Sequence, residues 1–286
     1  MRLPHLALAL IASLFVQDSP KTPIAWTLKK DQKVRYEFNH RLVSGPKDHT
    51  NVMDLTLVVG VEGGDYGADG TNAAKLTFER IALSKTGHGE KEDYDSARDK
   101  EPPAGSYPRV LSKCVGKTLP IRISASGSLT ALDEIRKMVL GAVDAFPDLK
   151  GRSKWDAEGV DLVARRFEWL LKSGFETPKG GRAAPGDSWE TSYDNKEITQ
   201  GVGRALVTAT LKSVKAGEAL VDQAVKFEFA APVAAAIKEA TGKGTFAWDT
   251  ERGMLKSLGI TSKIVSLRGD VTHTVTVALK PDAPAK

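Results

Sequence analysis

Five histidines and a single cysteine are the side chains of this chain best suited to bind a metal or attack a bond. His5 falls in the first apolar stretch, and His49 and His88 fall in loop-forming sequence. His40 lies on the apolar side of an alternating segment beside Phe38 and Leu42, and His273 lies on the side of Val271 and Val275. Two such histidines can meet across a sheet. A metal site there would need at least a third ligand, and no spacing supplies one. Satisfied core histidines are the simpler reading. Cys114, in Val110–Val115, reads as a small buried hydrophobe in a short helical turn. A reactive thiolate requires a neighbouring base, and the sequence points to none.

The serines and carboxylates are no better arranged. Ser124-Ala125-Ser126-Gly127-Ser128 lacks the first glycine of a nucleophile elbow and sits in a hairpin, not a strand-to-helix turn. Asp65, Gly67, Asp69 and Gly70 echo the start of a calcium loop, but Leu76 stands where a bidentate glutamate is required. Strands flank that loop, so a plain hairpin is expected. Gly201-Val202-Gly203 and Gly242-Lys243-Gly244 open no helix that could cradle a phosphate. Arg268-Gly269-Asp270 lies between strands and reads as a turn. Glu90–Glu101 alternates acids with Lys91, Arg98 and Lys100, as a solvated loop does. No catalytic constellation, metal set or cofactor motif is indicated.

The elements that would position any site are mostly strands. Val34, Tyr36, Phe38, His40 and Leu42 alternate with Lys33, Arg35, Glu37, Asn39 and Arg41. Asn51–Val61 and Ala74–Leu83 follow, as do Asp187–Thr199, Val202–Val214, Ala219–Ala230 and Asp270–Leu279. One-sided alternation belongs to antiparallel strands with one wet face. Phe78-Glu79 matches Phe227-Glu228, while Gly116-Lys117, Gly127, Leu129 and Leu132 match Gly242-Lys243, Gly253, Leu255 and Leu258. These matches suggest a duplicated β-motif of five and then six strands, with Gly127 and Gly253 supplying a positive φ in hairpins.

Two helical stripes lie between the copies. Thr130 reads as an N-cap with Asp133 at the third position, and Leu132, Ile135, Met138, Val139, Ala142, Val143 and Phe146 follow a 3.6 period to Pro147. Val160, Val163, Phe167, Leu170 and Leu171 form the second stripe, ending at Gly174. The expected fold is α+β, mostly antiparallel β, with a curved sheet or open barrel and a central helical pair packed on it. Expected boundaries are 1–17 for an export signal, 25–132 and 187–280 for the β-copies, 133–174 for the helices, 175–186 for a linker and 281–286 for a tail.

Arg2, an apolar run from Leu6 to Val16 and the polar exit Gln17-Asp18-Ser19-Pro20 make the pattern of an export signal. The expected location is therefore periplasmic or extracellular. Lys+Arg number 41 and Asp+Glu 36, and the resulting +5 is spread along the chain instead of clustering, which argues against nucleic acid. No apolar run reaches the roughly 18–20 residues of a membrane-spanning helix. One cysteine permits no internal disulfide.

Leu28-Lys29-Lys30-Asp31-Gln32-Lys33-Val34-Arg35-Tyr36, Tyr94-Asp95-Ser96 and Gly186-Asp187-Ser188-Trp189 resemble an uncharacterised family of exported bacterial β-rich proteins. That resemblance implies location, not chemistry. Eleven strands with central helices also resemble the periplasmic lipoprotein carriers, in which helices lid an unclosed, apolar-lined β-barrel. Two main functions follow. One is a non-catalytic envelope protein that acts through other envelope proteins. The alternative is a carrier of a lipid-like apolar molecule, held by Ile135, Met138, Val139, Phe146, Val163, Phe167 and Leu170. An envelope hydrolase is a third. A cavity of at least ~300 Å³ between helices and sheet separates the carrier from the rest.

Overall fold

The computed structural model describes residues 20–46, 49–87, 89–101, 106–124, 126–149, 156–173, 177–178, 181–193, 203–267 and 269–281. The first half comprises strands β1 (Thr22–Pro23), β2 (Lys33–Gly45), β3 (Asn51–Glu62), β4 (Asn72–Gly87) and β5 (Glu90–Asp95), then helix α1 (Ser106–Cys114), β6 (Thr118–Ile123) and β7 (Leu129–Thr130). Helices α2 (Leu132–Asp144) and α3 (Ala157–Ser173) follow. The second half comprises β8 (Arg182–Ala183), β9 (Ser188–Tyr193), β10 (Gly203–Lys215), β11 (Glu218–Phe229), the short α4 (Ala231–Ala234), β12 (Ile237–Asp249), β13 (Met254–Ser266) and β14 (Gly269–Lys280).

Twelve strands form one antiparallel sheet in the order β7-β6-β4-β3-β2-β14-β13-β12-β11-β10-β9, with β5 paired to the far end of β4. Within each half most strands that follow one another in the chain pair antiparallel, while β5 and α1 intervene between β4 and its partner β6. In this sheet the halves meet where β14 pairs antiparallel with β2 from Asp270↔Gly45 to Lys280↔Arg35, and β1 pairs with β8 in a separate two-stranded sheet. The sheet is curved and unclosed: no pairing joins β7 to β9 among the described residues.

The alternation of β2 places Val34, Tyr36, Phe38 and His40 on the inner face, all buried. Helices α1, α2 and α3 pack on that face over the first half of the sheet. The stripe Ile135, Met138, Val139, Ala142 and Val143 buries one side of α2, and Val160, Val163, Ala164, Phe167, Leu170 and Leu171 bury one side of α3. Each large apolar side chain so buried contributes about 2 kcal/mol, so the stripes, more than local propensity, hold the helices in place.

Two expectations need correction. Thr130 does not cap α2. It belongs to β7 and pairs with Arg122, leaving Ala131 at the cap position with no side-chain hydrogen bond. Asp133 and Glu134 in the first turn complement the helix dipole instead. Glu90–Asp95 is not a loop but a strand, because Tyr94 buries inward while Arg80 grips Asp95 in a bidentate pair at 2.8 and 2.6 Å. The segment before β2 packs into the same core: Ile24, Trp26 and Leu28 are buried. They form a strap across one end of the core, where the Trp26 ring meets Trp248 edge-on at 5.7 Å.

Candidate functional site

A cleft of about 360 Å³ opens on the inner face between α3, α1 and strands β2–β4. Its floor is apolar and buried: Leu55 of β3, Leu83 of β4, Leu111 of α1, and Val163 and Phe167 of α3. Toward the β2–β3 turn the same inward positions change character. Leu42 pairs with Met53 and Ser44 with Asn51, and Met53 pairs in turn with Lys85. The result is a polar rim of Ser44, Asn51 and Lys85 above an apolar floor. Arg166 closes the helix side of the cleft, its Nη1 donating to Met53 Sδ at 3.3 Å. Lys85 Nζ lies 5.7 Å from the centroid of the Tyr107 ring.

Beside the cleft, at the seam of the sheet, stands the histidine pair. His40 Nε2 lies 3.1 Å from His273 Nδ1, and the rings stack 6° from parallel under the edge of Trp169 from α3. Both rings are buried, and His40 Nδ1 and His273 Nε2 have no hydrogen-bond partner among the described residues. Burial lowers the His40 pKa to about 3, aided by His273 and Arg166, and lowers that of His273 to about 4, aided by Arg166. Two neutral rings sharing one proton serve as a packed polar contact. No group of three or more His, Cys, Asp or Glu that could hold a metal occurs among the described residues.

The seven residues singled out on the helix stripes separate. Val163 and Phe167 line the cleft. Ile135, Val139 and Leu170 are wholly buried in the core. Met138 borders a different groove, with Lys113, Lys117 and Lys137. Phe146 packs beneath the Arg109 guanidinium at 4.4 Å, which Asp148 holds in a bidentate pair. Sequence reasoning missed the strand side of the cleft: Leu42, Ser44, Asn51, Met53 and Lys85. A signal existed, because Lys85 follows Ile81 and Leu83 on the inward alternation of β4, an unusual place for a charge.

The remaining motifs make local contacts within turns and strands. Ser128 N–H donates to Ser124 Oγ at 3.0 Å within the turn, and Thr71 N–H donates to Asp69 Oδ1 at 3.0 Å in the β3–β4 hairpin. Gly242 and Gly244 lie inside β12. Cys114 is buried in the core, its thiol pushed up to about 12 by burial. His5, His88, the export segment, Ala125, residues 194–202 with Gly201 and Val202, Arg268 and residues 282–286 lie outside the described residues.

No family model and no curated protein matches the chain. The solved structures similar to it include two that differ in how much of their own length is matched. One, titled for lipid–protein interactions in lipovitellin, is 13% identical over 91% of this chain and 26% of that one, with a TM-score of 0.49. The other, DynF from the dynemicin biosynthesis pathway of Micromonospora chersina, is 7% identical over 93% of this chain and 89% of that one, with a TM-score of 0.20. The chain therefore spans about a quarter of the lipovitellin chain it matches. Neither likeness assigns a function or a family.

Proposed function

We propose that this is an exported, non-catalytic binding protein for an apolar small molecule, held between the helical layer and the sheet. The observation that carries the reading is the cleft of about 360 Å³ floored by Leu55, Leu83, Leu111, Val163 and Phe167. Its volume falls within the ~300–1,000 Å³ of small-ligand sites, and it stays open where Ile135, Val139 and Leu170 of the same helical layer are fully enclosed. Export rests on Arg2, the Leu6–Val16 run and the polar exit after it. Among the described residues no helix is long and apolar enough to cross a membrane.

The test is a fluorescence titration of the full mature chain with the neutral apolar dye N-phenyl-1-naphthylamine. Saturable binding that Val163→Trp abolishes, with the circular dichroism spectrum unchanged, is the expected result. If the unmodified protein shows no saturable binding, the proposal fails.

A further inference from the structure

We propose that the second half of the sheet holds a binding site of its own, in which Gln223, Ser262 and His273 hydrogen-bond one neutral hydroxyl or amide group of a small molecule. The site goes beyond the apolar cleft and shares none of its lining residues. In the register Val275 of this pocket faces His40, and His40 faces Leu55 of the cleft, so the histidine pair stands between the two.

The pocket, of about 50 Å³, opens on the inner face of β10, β11, β13 and β14 beside Trp169. Its place follows from β12. Phe246 and Trp248 point inward and are buried, and on the same alternation positions 242 and 244 are glycines. Glycines inside a strand mark a close approach. Gly242 lies between Val225 and Ser262 in the register, and Gly244 lies between Gln223 and Ile260. A Cβ on Gly242 would stand 2.5 Å from Ser262 Oγ, so the missing side chain gives that hydroxyl its room. Ser262 in turn lies opposite His273. Three hydrogen-bonding side chains thus line one hollow whose other walls include Val207, Val225 and Val275.

The hydrogen-bonding capacity of these side chains is unmet. Ser262 and His273 are 7% and 6% exposed, and Gln223 Oε1 and His273 Nε2 are buried with no partner among the described residues. Buried polar atoms are nearly always paired, because an unpaired one forfeits its hydration. A group entering the pocket meets the Gln223 amide, the Ser262 hydroxyl and His273 Nε2, which together offer donors and acceptors. That group is neutral, because none of the described lining residues is charged. Arg166, whose charge reaches the His273 ring, lines the cleft and not this pocket. A charge entering here would lose its hydration without gaining a counter-ion. A single water needs roughly 10–15 Å³, so the space takes a group of a few heavy atoms.

The experiment is an NMR titration of the full mature chain that follows the His273 ring and the Ser262 amide. Five compounds of similar size are compared: 1-propanol, propionamide, propionate, propylammonium and 1-chloropropane. One or both of 1-propanol and propionamide should shift these signals saturably, at least about tenfold more tightly than the two ions and 1-chloropropane. Whichever of the two binds more tightly identifies the group as hydroxyl or amide. Ser262→Ala and Gln223→Met should each weaken that binding several-fold, and Val163→Trp, which fills the cleft, should leave it unchanged. Binding of 1-chloropropane or of either ion as tight as that of the neutral polar pair would overturn the proposal. So would the absence of a saturable shift with both 1-propanol and propionamide, or binding that neither Ser262→Ala nor Gln223→Met weakens. None of these outcomes bears on dye binding in the cleft.

Discussion

His40 Nε2 and His273 Nδ1 meet at 3.1 Å across the seam where β2, near the start of the chain, pairs with β14, near its end. In the register Val275 lies opposite His40, so the two rings approach on the diagonal and stack at 5.4 Å between centroids. Diagonal neighbours on adjacent strands remain within reach of ring side chains. The contact requires one unprotonated ring nitrogen facing the other ring, and burial of both rings favours the neutral pair.

Acid should therefore destabilise the protein through this pair. The folded-state values lie near 3 and 4, below the ordinary histidine value of 6.5. Below pH 6.5 the unfolded chain takes up protons that the folded chain refuses, so stability is full above about pH 7 and falls as the pH drops toward the folded values. Between pH 7.5 and 5.0 the loss is about 2 kcal/mol per histidine. Urea denaturation at the two pH values should show this loss, and a His40→Leu/His273→Leu double variant should lack it. An identical pH slope in that variant would remove the pair from the account.

The strap before β2 should matter as much as any strand. Trp26 is buried, with its ring edge-on to Trp248 at 5.7 Å and to Tyr36 at 6.1 Å, and the Tyr36 hydroxyl donates to the Leu255 carbonyl at 3.0 Å. Removing that ring opens a cavity spanning both halves of the sheet. Trp26→Ala is expected to cost about 3–5 kcal/mol in chemical denaturation. A change within 1 kcal/mol, roughly the scatter of surface substitutions, would mean that the strap is only draped on the core.

Local pattern carried much of this architecture. The alternation of Val34 to Leu42 predicts the inner face of β2, and the stripes from Leu132 and Val160 predict α2 and α3, because both periods report which side faces the core. Pairing between distant strands leaves no such trace. Beyond two inward histidines that could meet across a sheet, nothing in Lys33–Gly45 or Gly269–Lys280 says that they adjoin, so the twelve-stranded sheet and its seam emerge only in the fold. β5 was hidden because its outward residues are charged, which resembles a loop until Tyr94 is seen to bury.

The candidate site was half legible for a related reason. Val163 and Phe167 belong to an apolar stripe, yet the stripe alone cannot distinguish them from Leu170, which the core encloses completely. That distinction depends on what stands opposite each residue. Facing Val163 and Phe167 are strand ends where the inward positions turn from Leu83 to Lys85 and from Leu42 to Ser44. The inward polar residue is the signal for a cleft, and it becomes readable once the strand parity is carried past the last apolar position.

The two hairpin glycines offer a sharper comparison of local and long-range constraint. Gly127 and Gly253 both adopt positive φ, at 74° and 62°, as their shared turn position predicts. Alanine at either site meets the left-handed backbone penalty of about 1 kcal/mol. At Gly253 a Cβ would also stand 1.8 Å from Thr27 Oγ1 and 3.0 Å from the Ala25 carbonyl oxygen, because the strap crosses directly over the β12–β13 turn. The Thr27 N–H donates to the Gly253 carbonyl at 3.1 Å and holds the strap at that distance. Relief requires the strap to move, so Gly253→Ala should cost about 2–4 kcal/mol, the turn penalty plus that of overpacking. Thr27→Ala, which removes the hydroxyl, should recover part of this loss in the double variant while doing nothing for Gly127→Ala. Equal costs at the two glycines, measured by urea denaturation of both single variants, would show that only the turn and not the crossing strap requires Gly253.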